Sequence, residues 1–246
     1  MPSLDVYLDR VPIRRSNPWP LIALCLQACG GAPPAPTTVV VPASSSSGAA
    51  GTDSFVVSGL RGTLSGPEIQ GALEPRLPRM LRCVQQRRAE LEPLAGRLAL
   101  AFHVATDGSV VAVHPSDSTL GDRDTERCVL EVAASTHFPP PHGGEADFSW
   151  PLEIDADEDV RQPVALSADS ARAKIGTQGD VLLAECGGSQ VVVTMYVQPD
   201  GSVAAAGVAA PDGATGPQLD CIARGVRGWT FQSPGSYVGK LSFVLP

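Results

Sequence analysis

Six cysteines and four histidines are the residues of this chain whose types could carry out chemistry. Thiolates and imidazoles act as nucleophiles, acid–base groups or metal ligands, and cysteines also pair as disulfides. The chain has no CxxC spacing, and no histidine spacing that supports a zinc site. It also lacks the GxSxG, HExxH, P-loop and GxGxxG motifs. The sequence therefore predicts a protein that is not an enzyme and that uses no cofactor or metal.

The histidines and an acidic run fit structural positions better than catalytic ones. His103 lies in a predicted strand, and Tyr196 takes the equivalent place in the repeat described below, so the position favours a half-buried ring. His137 and His142 flank three prolines on a predicted loop. Residues 155–159 are rich in aspartate but lack the glycine and the closing glutamate of an EF-hand calcium loop. We interpret this run as a solvated linker.

The N-terminus has the pattern of a lipoprotein export signal. Arginines at 14 and 15 precede a short apolar stretch at 19–26, and small residues follow it. Leu26-Gln27-Ala28-Cys29 resembles the bacterial lipobox, whose cysteine becomes the lipidated first residue of the mature chain. We therefore predict a signal peptide at 1–28 and acylation of Cys29. The protein would be anchored to a membrane facing the periplasm, and Gly30 after the cysteine favours the outer membrane.

Residues 29–53 are predicted to be a flexible tether. They are rich in Gly, Pro, Ser and Ala, and such a segment cannot bury enough apolar surface to offset its ordering entropy. No apolar run of the chain reaches the roughly 20 residues that a transmembrane helix needs. The lipid on Cys29 would therefore be the attachment to the membrane.

The composition of the chain is globular and acidic. Apolar residues make up 43% and charged residues 18%, and the formal net charge is −8. Nucleic-acid binding depends on clustered lysines and arginines that release counterions from the phosphates. An acidic chain is poor in such clusters, so the composition predicts no nucleic-acid partner.

An internal repeat divides the rest of the chain into two predicted domains. The segment VATDGSV at 104–110 returns as VQPDGSV at 197–203, with five identities in seven residues at a shift of 93. The same shift carries Cys128 onto Cys221 and Phe138 onto Phe231. We interpret the two halves as duplicated domains. Their predicted bounds are 54–156 and 169–246, with a linker at 157–168 between them.

Each predicted domain has the element order α-β-β-α-β. In the first one, residues 98–104 alternate in polarity and are followed by Asp107-Gly108, which is typical of a hairpin turn. Apolar positions between 122 and 136 recur at helical spacing, and residues 148–154 alternate again as a closing strand. The predicted fold class is α+β, with a small antiparallel sheet in each domain.

The helix that opens each domain is predicted to be irregular. Ser65 and Glu68 form a capping box at the start of the first one, and Pro75 interrupts it. In the second domain, Gly176 and Gly179 weaken the corresponding helix, which we expect to be short or broken.

The cysteines pair once the repeat is taken into account. Cleavage removes Cys25 and acylation uses Cys29, which leaves Cys83, Cys128, Cys186 and Cys221. Four cysteines allow three connectivities. Duplication selects one of them, because each domain has one cysteine at the end of its first helix and one inside its second. We predict the disulfides Cys83–Cys128 and Cys186–Cys221.

Several motifs of the two domains occur together in a known envelope fold. In the first domain they are Gly62-x-Leu64-Ser65-x-Pro67-Glu68-Ile69, Ser118-Thr119-Leu120, Glu126-x-Cys128-Val129 and Phe138-Pro-x-Pro141-x-Gly143-Gly144. This set resembles the AgmX/PglI C-terminal domain, a variety of the TonB C-terminal fold. The second domain resembles the general TonB pattern through Leu219-Asp220-Cys221 and Gly228-Trp229-Thr230-Phe231, where Thr230 replaces the usual arginine.

The resemblance implies an adaptor of the cell envelope. TonB itself transmits force from a proton-driven motor through an inner-membrane helix and a long stiff spacer. In the present sequence a lipid replaces that helix and the tether is short and flexible. We therefore expect an adaptor that does not transduce force by itself.

Two main classes of function follow from these observations. The first is a non-enzymatic adaptor in an envelope transport or motility assembly, which binds a segment of a partner protein by β-strand addition to the edge of the last strand, residues 236–245. Its rival is that the two domains pair these edges with each other. The second class is an envelope ligand-binding protein or enzyme whose site lies between the domains without a sequence signature. A purely structural lipoprotein is a third possibility.

Overall fold

The computed structural model describes residues 61–246, and the predicted signal peptide, the tether and Cys29 lie outside the described residues. The first half contains α1 (Gly66–Leu73), α2 (Leu77–Arg88), β1 (Gly96–Val104), β2 (Val110–Ser118), α3 (Arg123–Ala134) and β3 (Ala146–Ile154). The second half contains β4 (Val164–Ala165), α4 (Arg172–Lys174), α5 (Asp180–Cys186), β5 (Val191–Val197), β6 (Val203–Ala209), α6 (Gly216–Arg227) and β7 (Gly239–Leu245). Within residues 61–246, no helix combines the length and apolar character needed to cross a membrane.

The strands form two small sheets, with the orders β2-β1-β3 and β4-β7-β5-β6. All neighbouring strands are antiparallel except β4, whose two residues run parallel to β7. The predicted α+β class is confirmed. The second sheet is mixed because β4, which lies in the segment predicted as a linker, joins its edge.

The helix starts follow from local capping. Ser65 and Glu68 form the predicted capping box at α1, and Thr215 and Gln218 form a second one at α6. The first helix is interrupted by a 3₁₀ turn at Glu74–Arg76, where Pro75 supplies no N–H donor. In the second half the corresponding region is broken as predicted, because a π-helical turn at Ile175–Gly179 separates α4 from α5.

The two hairpin turns explain why the Asp-Gly-Ser motif recurs. Gly108 and Gly201 have φ angles of 88° and 86°, in the left-handed region that favours glycine. A side chain at either position would also collide with the carbonyl oxygen of Phe138 or Phe231. The N–H groups of these phenylalanines donate hydrogen bonds to the glycine carbonyls, at 2.9 and 2.8 Å. Each turn is thus fixed to the segment that follows the second helix, with the same spacing in both halves.

Both predicted disulfides are confirmed. Cys83 of α2 bonds to Cys128 of α3, with 5.9 Å between the Cα atoms. Cys186 of α5 bonds to Cys221 of α6, with 5.6 Å between the Cα atoms. Each disulfide therefore joins two helices of its own half.

The two halves interlock through the second sheet. Tyr196 of β5 and Ala205 of β6 belong to the hydrophobic core of the first half. The opposite face of the same strands, with Met195 and Val208, forms the core of the second half. Both faces of β5 and β6 are consequently buried, and residues 61–246 lie in a single compact unit.

Candidate functional site

The predicted binding edge, residues 236–245, is partly covered. The strand starts at its fourth residue, and β4 pairs with the first two residues of the observed strand. The backbone N–H of Leu166 also donates to the carbonyl of Lys240, at 2.9 Å. Backbone groups of one orientation recur every second residue of a strand, so the N–H and carbonyl groups of Ser242 and Val244 also point outward. Among residues 61–246, these two have no strand partner on that side.

Lys240 is half-buried, although the alternation of the strand predicts that it faces solvent. Its Nζ donates a hydrogen bond to the carbonyl oxygen of Ala95, at 2.7 Å, and lies 4.9 Å from the ring centroid of Tyr196. Burial lowers the pKa of Lys240 to about 8. The alternation does hold for Phe243 and Leu245, which are buried. The other face of β7 therefore packs partly against the first half of the molecule.

The edge strands β2 and β6 lie against each other. The backbone N–H of Ala210, directly after β6, donates to the carbonyl of Pro115 in β2, at 2.8 Å. The two sheets nevertheless stay separate and do not merge into one. These two edges face each other across the junction of the halves, so we do not consider them as binding edges.

The outer edge of β3 is an open edge of the described structure. β3 pairs with β1 along its whole length, at one end of the first sheet. Just before the strand, Gly62 donates a hydrogen bond to the carbonyl of Glu145, at 2.7 Å. Backbone groups of one orientation recur every second residue of a strand, so the carbonyls of residues 147, 149, 151 and 153 point outward. Their N–H groups also point outward, except at position 151, where proline has no N–H. No strand within residues 61–246 pairs with them.

β3 and β7 are counterparts under the repeat. A shift of 93 carries Ala146 onto Gly239 and Ser149 onto Ser242. The sequence predicts the binding edge on the closing strand of the second half, residues 236–245. In the structure, the open edge belongs instead to the corresponding strand of the first half, β3. The chain that follows β3 crosses to β7 and pairs with it as β4, so the edge of β7 is partly covered.

An apolar groove runs beside the open edge of β3. It has a volume of about 410 Å³ and lies between β3 and the helical segment from α1 to the start of α2. Its apolar lining comes from Ile69, Leu73, Leu77 and Trp150. Leu73 is buried and the other three are half-buried. A strand added to β3 would direct every second side chain towards this groove.

The surroundings of the edge are acidic. The side chains of Asp147 and Glu153 are exposed on β3, and Glu74 lines the groove. His103 of β1 lies 2.8 Å from a carboxylate oxygen of Asp147 and 3.3 Å from one of Glu145. These charges favour a partner segment that carries basic side chains on its solvent face.

A buried carboxylate lies between the two halves, away from the β3 edge. Glu126 of α3 accepts hydrogen bonds from the hydroxyl of Ser118, at 2.7 Å, and from the backbone N–H of Val208, at 3.1 Å. Burial raises its pKa to about 7, which outweighs the opposing effect of these hydrogen bonds and of Arg123 nearby. Glu126 is part of the motif that carries the family resemblance, but nothing in the local sequence indicates that it is buried.

The remaining candidate residues do not converge on one site. His103 is half-buried, while His137 and His142 are exposed. In the acidic run at 155–159, Asp157 forms an ion pair with Arg88 at 2.7 Å. Within the described part of the chain, no group of three or more His, Cys, Asp or Glu side chains is arranged to hold a metal ion.

Comparisons with known proteins give no match for this chain, whether with family models, with curated proteins or with solved structures. The open edge of β3 and the groove beside it are therefore the features from which a function can be inferred.

Proposed function

We propose that the protein is a lipid-anchored adaptor of a bacterial cell envelope, and that it binds an extended segment of a partner protein on the outer edge of β3. The observation that carries this proposal is the open edge of β3 beside the apolar groove. In strand addition, main-chain hydrogen bonds supply affinity and pockets for alternate side chains supply specificity. The backbone of β3 offers the first, and the groove at Trp150 offers the second.

The halves would then be tandem TonB C-terminal-like domains, the first of the AgmX/PglI type. The order α-β-β-α-β, which the first half has and which the second half has after β4, supports this assignment. So does the position of β3, the closing strand of the first half, at a sheet edge. In TonB-like domains the corresponding edge accepts extended peptides as an additional strand, and the same use is proposed for β3.

The proposed location is the periplasmic face of a membrane, with the outer membrane favoured. Two disulfides support export, because the cytosol keeps thiols reduced. Acylation at Cys29 would provide the anchor, and the tether at 29–53 would reach at most about 80 Å at ~3.3 Å per residue. Partners within that distance of the membrane, in a transport or motility assembly, would be accessible to β3.

The partner segment proposed here has a defined chemistry. Pro151 removes one outward N–H from β3, so a regular ladder would be confined to the part of the strand around Asp147 and Ser149. The segment would be short and extended, with apolar side chains directed to the groove and basic ones to the acidic face of the sheet. A protein with such a segment is the expected ligand.

Site-specific cross-linking in living cells tests the proposal. A photoreactive residue at position 149 should form adducts with a partner protein, whereas one at position 242, its counterpart on β7, should form few. A second variant, Asp147→Pro, removes an outward N–H next to the cross-linking position and should abolish the adducts. The matched control is Ser242→Pro, which makes the same kind of change on the partly covered edge and should leave them unchanged.

Both proline variants must retain the circular dichroism spectrum and the disulfides of the wild type. If Asp147→Pro folds and the adducts at position 149 persist, strand addition at β3 is wrong. If the adducts concentrate at position 242 instead, the binding edge is on β7.

A further inference from the structure

A pocket lined by charged side chains lies between α3 and α6, where the two halves meet. Its volume is about 270 Å³, slightly below the range of about 300–1,000 Å³ that is usual for drug-sized ligands. Six charged residues line it: Arg123, Asp124, Arg127, Asp220, Arg224 and Arg227. Four arginines against two aspartates leave an excess of two positive charges, although the whole chain has a net charge of −8.

Helical spacing brings these side chains together. On α6, Asp220, Arg224 and Arg227 are four and three residues apart, so they share one face. On α3, Arg123 and Arg127 are one turn apart. The two faces meet across the junction of the halves, and each half contributes two arginines.

Two of these arginines each have a buried nitrogen with no hydrogen-bond acceptor within residues 61–246. Arg123 is 4% exposed, and its Nε donates to Asp220 at 2.7 Å, while its Nη1 has no acceptor in this part of the chain. Arg227 donates from Nη2 to Asp124 at 3.0 Å, whereas its buried Nε has no acceptor in the same residues. Arg224 pairs with no carboxylate among residues 61–246. The guanidinium groups therefore have more donors than the aspartates satisfy.

The electrostatic effect of this excess is visible on an aspartate of the pocket. Burial acts to raise the pKa of Asp124, yet its pKa lies below the usual value because Arg227 donates a hydrogen bond to it and Arg127 lies nearby. A positive potential of this kind favours any anion that enters the pocket.

We propose that the pocket between α3 and α6 binds a phosphate monoester or inorganic phosphate, as the dianion. The guanidinium fork matches the geometry of phosphate oxygens, and a dianion would neutralise the two excess charges, which a single carboxylate would not. The phosphoryl group could belong to a small molecule or to the headgroup of a lipid. The site is independent of strand addition at β3, and it joins the two halves through their shared ligand.

The first experiment titrates the protein with inorganic phosphate at constant ionic strength and follows the heat of binding. Saturable binding is expected, and it should strengthen as the pH rises through the second pKa of inorganic phosphate, above which the dianion is the main species. Arg224→Ala should weaken binding about tenfold, since one charge-assisted hydrogen bond is lost. Arg82→Ala, which removes an exposed arginine of α2 outside the pocket, is the matched control and should bind as the wild type does.

A second variant acts in the opposite direction. Asp124→Asn removes a competing carboxylate and should tighten phosphate binding, an effect that a purely structural ion pair would not produce. In parallel, vesicles of phosphatidylcholine with and without phosphatidic acid should distinguish a lipid headgroup from free phosphate. Binding to either probe that is weakened by Arg224→Ala supports the site. The proposal is wrong if neither probe binds saturably, or if Arg224→Ala and Arg82→Ala behave alike.

Discussion

The carboxylate of Glu126 in α3 accepts a hydrogen bond from the backbone N–H of Val208 in β6, 3.1 Å away. Both residues are fully buried, so this bond joins the two halves out of contact with water. Gly207 makes the approach possible, because a Cβ atom there would overlap Oε1 of Glu126. The junction of the halves is thus built around a group that can gain or lose a proton.

Stability should therefore decrease as the pH rises from about 4.5 to about 7. The pKa of Glu126 is about 7 in the folded protein and near 4.5 in the unfolded chain, so the folded state holds the proton more tightly. The stabilisation is complete below pH 4.5, is lost as the pH rises through 7, and amounts to about 3 kcal/mol. Urea unfolding at a series of pH values measures it.

Glu126→Gln is the variant that isolates this effect. The amide oxygen can still accept from Val208, and the side chain cannot titrate. Its free energy of unfolding should lack the decrease between about pH 4.5 and 7 that the wild type shows. Equal pH profiles for the two proteins would assign the dependence to another group.

Gly207→Ala should destabilise the protein by about 1–3 kcal/mol, the usual cost of overpacking. The added methyl group would overlap the Glu126 carboxylate and lie 2.9 Å from the backbone nitrogen of Asp122. Gly71→Ala is the matched control, because it lies within α1 and the described residues place no atom within 4 Å of the new Cβ atom. The control should gain about 0.5–1 kcal/mol, since alanine is the better helix former. Thermal unfolding of both variants shows whether the signs differ as expected.

Loss of either disulfide should cost about 4 kcal/mol. The bonded cysteines are 45 residues apart in the first half and 35 in the second, and the chain-entropy model gives nearly the same value for both loops. Paired Cys→Ser variants, Cys83 with Cys128 and Cys186 with Cys221, compared by urea unfolding, measure each contribution. A cost confined to one pair would show that the unfolded chain is not equally constrained by the two bonds.

Cys29→Ser should block maturation of the exported protein. If Cys29 is the lipidated residue, the variant should accumulate as a precursor that retains residues 1–28, and globomycin should have the same effect on the wild type. Immunoblots of fractionated cells measure the size and the membrane association of both forms. Normal processing of the variant would refute the lipobox assignment.

The repeat made much of the fold predictable from the sequence. Asp107-Gly108 and its copy at 200–201 marked the hairpins, and the cysteines at matching positions selected one disulfide pattern out of three. These signals are local, or they recur at one fixed spacing, so they can be recognised without knowledge of how the halves pack. The capping box at Ser65 is a signal of the same kind.

The binding edge and the junction of the halves were not predictable in this way. Lys240 alternates as a surface residue should, yet it donates to the carbonyl of Ala95 in the other half. Val164 and Ala165 have no strand pattern of their own, and they become a strand only because β7 offers an edge. The arginines of α3 and α6 show a charged helical face in the sequence, but only the packing shows that the two faces meet.

The position of Tyr196 indicates how much of the chain must be present for the first half to fold. Its ring lies in the core of the first half, and its hydroxyl donates to the carbonyl oxygen of Pro93 at 3.3 Å. A fragment ending before β5 would have a void in its core in place of that ring, and Pro93 would lose its hydrogen-bond donor. Cutting the chain between the repeats should therefore not release two autonomous modules. We expect the two repeats to unfold together in one cooperative transition, so that a force or a ligand that loosens one repeat also loosens the other.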